Sequence, residues 1–194
     1  MFLSHGYEAT SLDTLIARAG GSRRNIYDRF GGKEGLFKEV VSQLCANFLR
    51  PLEELDVQGQ DPKTALSLFG RRVFEGAFDP RGNALLRLLI AEGHRIPALA
   101  QMRAESKNLI DVVSDLIGKL QSGGGLRTDV PAADLAEQFV NLVMSGPKLH
   151  FLLGMTTVPT PESAARFVDR AVETFLNGAG VKERGRAPNP KRRR

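Results

Sequence analysis

GYEATSLDTLIARAGGSRRNIYDRFGGKEGLFKEVV, residues 6–41, reads as two short helices joined by a tight glycine turn and running into a longer helix. Leu12, Leu15, Ile16 and Ala19 recur at i, i+3, i+4 and i+7, which puts one apolar stripe on a short helix. That stripe must pack on something. Thr10 stands three residues before Asp13, a capping-box spacing with Asp in place of Glu or Gln, and a carboxylate there suits the positive end of a helix. Gly20 and Gly21 stop the helix. Ser22 is an N-cap for a second one, in which Ile26 and Phe30 face inward at i and i+4.

The outward face of the second helix carries the chemistry. Arg23 and Tyr27 lie one turn apart, with Arg24, Asn25 and Arg29 around them and Ser22 at the tip. Arginine offers a bidentate fork to guanine or phosphate, asparagine pairs with adenine, and Ser or Tyr hydroxyls reach phosphates. A helix N-terminus adds its own attraction for a phosphate. Charge alone would fit a solvated basic face on an ordinary helical hairpin. Order and spacing together favour DNA.

The segment resembles the DNA-binding head of the tetracycline-repressor (TetR) family of bacterial transcription regulators. The resemblance rests on Gly6, Tyr7, Thr10, Ser11, Ile16, Ala17, Ala19, Gly20, Ser22, Ile26, Tyr27, Phe30, Lys33, Glu34, Leu36 and Phe37 in the family's order. It implies a supporting helix over 11–19, a recognition helix over 22–30, and a long helix from Lys33 that joins head to body. It also implies DNA contacts from Thr10, Arg23, Tyr27 and Lys33, to which the outward face adds Ser22, Arg24 and Asn25. Two positions depart: Gly21 stands where the family usually has Val, and Arg24 where a small residue is common. Of the family's four-turn first helix only MFLSH stands before Gly6, with Phe2 and Leu3 as its last core residues. The stripe of Leu12, Ile16 and Ile26 should then be partly uncovered, through either a start codon further upstream or an impaired head.

The 194 residues, 42% hydrophobic and 25% charged, suit a soluble globular protein of one domain or two small ones. No apolar run reaches the roughly 18 residues that span a bilayer, and no signal-peptide pattern opens the chain. A cytoplasmic location is expected. Cys45 is the single cysteine, which rules out an intrachain disulfide and reads as a small buried apolar residue. Basicity concentrates at the end, where residues 181–194 hold seven Lys or Arg against one Glu, the composition of a disordered, solvated tail.

Residues 51–180 read as helices throughout, so the fold class is all-α: a helix-turn-helix head over 1–45, an effector-binding and dimerisation body over 46–180, and a basic tail over 181–194. Asp61-Pro62 opens a helix to about residue 78, on the N-cap and first-position proline signals. Leu85, Leu86, Leu88, Leu89 and Ile90 make a run too apolar all round for a surface helix, a core helix by its pattern. After Pro97 an apolar segment runs from Leu99 to Leu120. Asp129 and Pro131 open the next helix, which Gly146 and Pro147 should bend, and the last starts near Thr160-Pro161. The body also resembles its TetR counterpart, in the run RLLIAEGHRIPALA (87–100) and the final TPESAARFVDRAVETFL segment. The resemblance implies a homodimer of paired late helices and an effector cavity among the middle ones.

Candidate cavity residues are Phe69, Phe74, Leu86, Ile90 and His94, joined by Met102, Leu109, Phe139 and Val143 from later helices; they would suit a small, mainly apolar or amphipathic effector. Candidate dimer contacts are Leu149, Leu152, Phe167, Val168, Ala171 and Phe175. Glu92 and Arg95, at i, i+3, read as an ion pair. No nucleophile elbow, phosphate loop, HExxH or paired-carboxylate motif is present, so neither catalysis, a metal nor a cofactor is expected. The function implied is a dimeric repressor that a small molecule releases from double-stranded operator DNA. Its alternatives are a ligand-binding helical dimer that has lost DNA binding, or a small helical enzyme.

Overall fold

The computed structural model describes residues 1–96, 99 and 107–179. Helix α1 is Phe2–His5, α2 Leu12–Ala19, α3 Arg23–Phe30, α4 Lys33–Glu53, α5 Pro62–Ala77 and α6 Pro80–Glu92, ending in a 3-10 turn at Gly93–Arg95. Then come α7 Leu109–Ser122, α8 Ala132–Val140, a π turn at Asn141–Ser145, α9 Gly146–Leu152 and α10 Pro161–Ala179. There is no strand among the described residues. None of the helices is long and apolar enough to cross a membrane.

Local chemistry starts most of these helices. Asp61 Oδ1 accepts from the amides of Lys63 and Thr64 at 3.0 and 3.1 Å, with Pro62 in the first helical position. Asp79 and Pro80 repeat the device for α6. The apolar segment from Leu99 to Leu120 is not continuous, because Asn108 and Asp111 form a reciprocal capping box that starts α7 anew. At Gly146-Pro147 the helix does not break. Pro147 has no N–H for an ordinary helical bond, and the turn before it widens to π geometry and carries the chain on into α9.

Two apolar clusters organise the fold. The larger packs α5, α7, α8 and α10 around Leu66, Phe69, Ile117, Phe139 and Val172, with Leu49 and Leu52 from the end of α4. Gly70 lets α10 lie close on α5, since a Cβ there would stand 2.9 Å from Val168 Cγ1 and 3.3 Å from Phe139 Cζ. The smaller cluster joins Phe2, Phe37 and Val41 to Leu85, Leu88, Ile96 and Leu99. The head therefore has no core of its own apart from the body: α1 and the start of α4 are packed against α6.

Three readings of the sequence change here. The run Leu85–Ile90 is not buried all round, because α6 turns Leu85 and Leu88 inward while Ile90, two residues on and nearly opposite, is 70% exposed. Cys45 is exposed on α4. Val168, Ala171 and Phe175 are buried in the protomer's own core, where α10 meets α5 and α8, and present nothing to a second copy.

Candidate DNA-binding head

Ser11, not Thr10, caps α2, its hydroxyl accepting from the Thr14 amide at 3.1 Å. Thr10 is 1% exposed and donates to the Gly6 carbonyl at 2.7 Å, tying down the loop ahead of α2. This corrects its reading as a DNA contact, since its hydroxyl is engaged inside the head. Gly20 and Gly21 make the turn at φ +77° and +97°, values that L side chains rarely adopt. The glycine at 21 follows from that backbone, in which a valine would be strained.

Ser22 caps α3 by accepting from the Asn25 amide at 3.2 Å, and Gly31 ends the helix in the left-handed conformation. Along α3, Arg23, Arg24, Asn25 and Tyr27 are all exposed, Tyr27 at 56%. Ser22 and these four are thus all exposed along a capped helix, with Arg23 and Tyr27 one turn apart on the same side. Arg24 Nε lies 3.5 Å from Asp28, one turn on. Arg23 reaches back across the glycine turn to Asp13 on α2, Nε to Oδ1 at 2.8 Å and Nη2 to Oδ2 at 2.5 Å. The guanidinium beside it holds the Asp13 carboxyl below the usual carboxylate range. Lys33 sits apart, donating to the Glu8 carbonyl at 3.3 Å with its ammonium 4.3 Å from the centre of the Tyr7 ring. Burial, with help from Glu34 and Glu8, pushes the Tyr7 phenol up.

No residue of α2 or α3 is buried. Their inner faces instead border an apolar groove of about 420 Å³, lined chiefly by Leu3, Leu15, Ile16, Ile26, Leu36 and Val40. Phe2, which also lines it, packs against Tyr7 and Phe37, with ring centroids of the three 5.0 to 6.0 Å apart. Of the stripe expected to be uncovered, Ile16 and Ile26 line this groove and Leu12 does not.

Two residues of the head's framework escaped the sequence. Asp13 pairs with a residue ten positions on, a separation that belongs to no single helix. Glu92, at the end of α6, accepts from the amides of Tyr7 and Glu8 at 3.0 and 3.4 Å instead of pairing with Arg95, whose Nε points to His94 Nε2 at 3.3 Å. Only the composite turn of Gly6, whose φ is +88° and where a Cβ would stand 2.7 Å from Glu92 Oε1, hinted that something approaches there.

Of the candidate cavity residues, Phe69, Phe74, Phe139 and Val143 are packed core, Leu86 and Leu109 are half-buried, and Met102 lies outside the described residues. Ile90 and His94 face outward, which removes them as lining in this conformation. Of the candidate dimer contacts, Leu149 is exposed, while Leu152 and Phe167 are half-buried, the latter against Phe74 with ring centroids 5.4 Å apart. Among the described residues no group of three His, Cys, Asp or Glu could hold a metal ion.

Residues 1–40 match the family model of bacterial regulatory proteins of the tetR family, and residues 64–178 match the C-terminal domain of AefR-like transcriptional repressors. The chain belongs to the TetR family. Among solved TetR-like structures, the flavonoid-responsive regulator FrrA superposes with a TM-score of 0.78 at 26% identity, covering 94% of this chain and 92% of FrrA. A putative TetR-family regulator from Mesorhizobium loti does so with a TM-score of 0.74 at 26% identity, covering 93% and 91%. The HTH-type transcriptional repressor ComR of Escherichia coli is 42% identical over 48 residues, 25% of this chain and 23% of ComR. The likeness in shape to the two solved structures spans head and body alike.

Proposed function

We propose that this TetR-family chain is a homodimeric regulator that binds operator DNA through α3 and is released by a small molecule bound in its body. The observation that carries the reading is the capped α3, presented by a two-glycine turn with Arg24, Asn25 and Tyr27 outward. FrrA's name describes response to a small molecule, which supports an effector here, of mainly apolar or amphipathic chemistry. Effector and DNA would each weaken the other by one coupling free energy, typically about 1 to 3 kcal/mol. No membrane or cofactor enters this reading; the site of action is the cytoplasm and no catalysis is involved.

Single Ala variants of Arg24, Asn25, Tyr27 and Lys33 test it in titrations against a duplex from the gene's own upstream region. Arg24→Ala should cost about 1 to 3 kcal/mol at that sequence if it reads a base. Lys33→Ala should weaken all sequences alike and lower the salt slope by about one, as a phosphate contact does. Unchanged affinity in all four would remove α3 as the DNA-facing element.

The dimer draws on the α9 side of the expected contacts, at Leu149, and not on Val168, Ala171 and Phe175 of α10. Leu142, Leu149, Leu153, Met155 and Val158 are all at least 40% exposed, around α9 and the segment after it. So much exposed apolar area in one region of the chain suits contact with a second copy. Leu149→Asp should leave the protomer folded and yield monomers in sedimentation at low micromolar concentration. Val168→Asp should instead unfold the body, because it buries an unpaired charge inside one protomer. Folded dimers of Leu149→Asp would exclude this face. Two-fold symmetry then sets recognition helices about 34 to 36 Å apart on a palindromic site.

The open groove favours a second reading, a ligand-binding dimer whose head holds DNA poorly. The same titrations separate the two, since that reading predicts no preference for the upstream duplex over random sequence.

A further inference from the structure

The Arg23–Asp13 pair is unusual for a surface ion pair in its geometry and its place. It is bidentate, it joins the supporting helix to the recognition helix, and both side chains remain about two-thirds exposed, at 63% and 67%. Exposed pairs add little to stability and open readily. Their significance lies in competition. The fork that Arg23 offers to Asp13 is the same one a phosphate would take, because a carboxylate and a phosphate present two oxygens at similar separation.

We propose that Asp13 is a specificity-determining residue of the head: its carboxylate occupies the Arg23 guanidinium and withdraws it from the phosphate contacts that hold the head on DNA of any sequence. Binding to random DNA is almost wholly a matter of phosphates neutralised and counterions released. A recognition helix with two adjacent free arginines would adhere everywhere. With Asp13 in place, the outer end of α3 carries one arginine fewer toward the backbone, and a phosphate that approaches Arg23 meets a carboxylate as well. Arg24, whose contact to Asp28 is single and longer, stays available.

This inference rests on the reading that α3 faces DNA. It is tested with the full-length chain and a random-sequence duplex, titrated over a series of salt concentrations, for Asp13→Asn, Arg23→Ala and the double variant. Asp13→Asn should tighten binding to the random duplex about three- to tenfold at low salt and steepen the salt slope by about one, the signature of one more phosphate contact. The double variant keeps the wild-type net charge and should bind the random duplex within about twofold of wild type with the same slope. A general effect of removing a negative charge would persist on the Arg23→Ala background and would overturn the proposal. So would a double variant that loses affinity and slope, since Arg23 would then be touching phosphate already. Helicity by circular dichroism is compared for all three, and Asp13→Glu, which keeps the carboxylate, should retain the wild-type slope; if it behaves as Asp13→Asn does, the carboxylate is not the cause. Failure of the underlying reading looks different: Arg24→Ala and Lys33→Ala would also leave random-duplex binding unchanged.

Discussion

Gly35→Ala is expected to abolish DNA binding while leaving the body folded. Gly35 is the third residue of α4, and a Cβ on it would fall on the carbonyl oxygen of Phe30, the last residue of α3. That obstacle is backbone, so no side-chain rotation relieves it. Overpacking costs about 1 to 3 kcal/mol and occasionally more, and overlap with a main-chain atom belongs at the top of that range. The end of α3 would have to move away from α4. Gly31 at φ +73° and Gly32 at φ +120° hold the two helices at this distance, and Gly32 is itself buried against the Tyr27 ring. A head with no buried residue on α2 or α3 has little to set against such a strain. Anisotropy titration of the upstream duplex should show no binding, while the helical melt of the body, with its larger cluster untouched, persists. Wild-type affinity in Gly35→Ala would mean that α3 and α4 are further apart than described.

Glu92→Ala is expected to loosen the head from the body. The Glu92 carboxylate holds the Tyr7 and Glu8 amides from the α6 side, while Lys33 holds the Glu8 carbonyl and covers the Tyr7 ring from the α4 side. The loop of residues 6–8 is thus gripped between the body and the start of the long helix. Hydrogen bonds to a charged group contribute about 1.5 to 3 kcal/mol, and a half-buried carboxylate should fall toward the lower end. Hydrogen exchange at the Tyr7 and Glu8 amides should therefore speed up by roughly tenfold or more, and affinity for the upstream duplex should fall by a similar factor as the heads lose their fixed orientation. Glu92→Gln, which retains an acceptor without the charge, should lie between. Exchange unchanged at both amides would show that the shared apolar cluster of Phe2, Phe37, Leu85 and Leu88 holds the head unaided.

Much of the chain was legible because its signals are local. Ser22 as a cap, Gly20 as a stop and Asp61-Pro62 as a helix start each act within one turn, and the structure uses them where the sequence puts them, whereas Asp79, Pro80 and Gly82, which read as a turn, are the cap and first turn of α6. Legibility failed by small steps in the same places. Thr10 and Ser11 are both good caps, and the choice between them depends on where the Thr10 hydroxyl finds the Gly6 carbonyl. Asn108 looked like one more polar residue inside an apolar segment, although with Asp111 it starts a helix.

The sequence by itself determined the all-helical class, the glycine turn and cap of α3, its exposed basic face and, through the order of residues 6–37, the family of the head. Only the tertiary structure decided what each apolar stripe packs on. Periodicity shows that α10 has an apolar side but not whether α5 or a second copy covers it, and Val168, Ala171 and Phe175 went to α5. It shows that Leu85 to Ile90 are apolar, not that α1 and α4 need only the Leu85 and Leu88 side. Polar pairings across the fold are hidden for the same reason: a hydrogen bond between Glu92 and Tyr7 spans 85 positions, and that between Arg23 and Asp13 spans ten across a turn. Their energies depend on where folding places the partners, and neighbouring residues carry no trace of that distance.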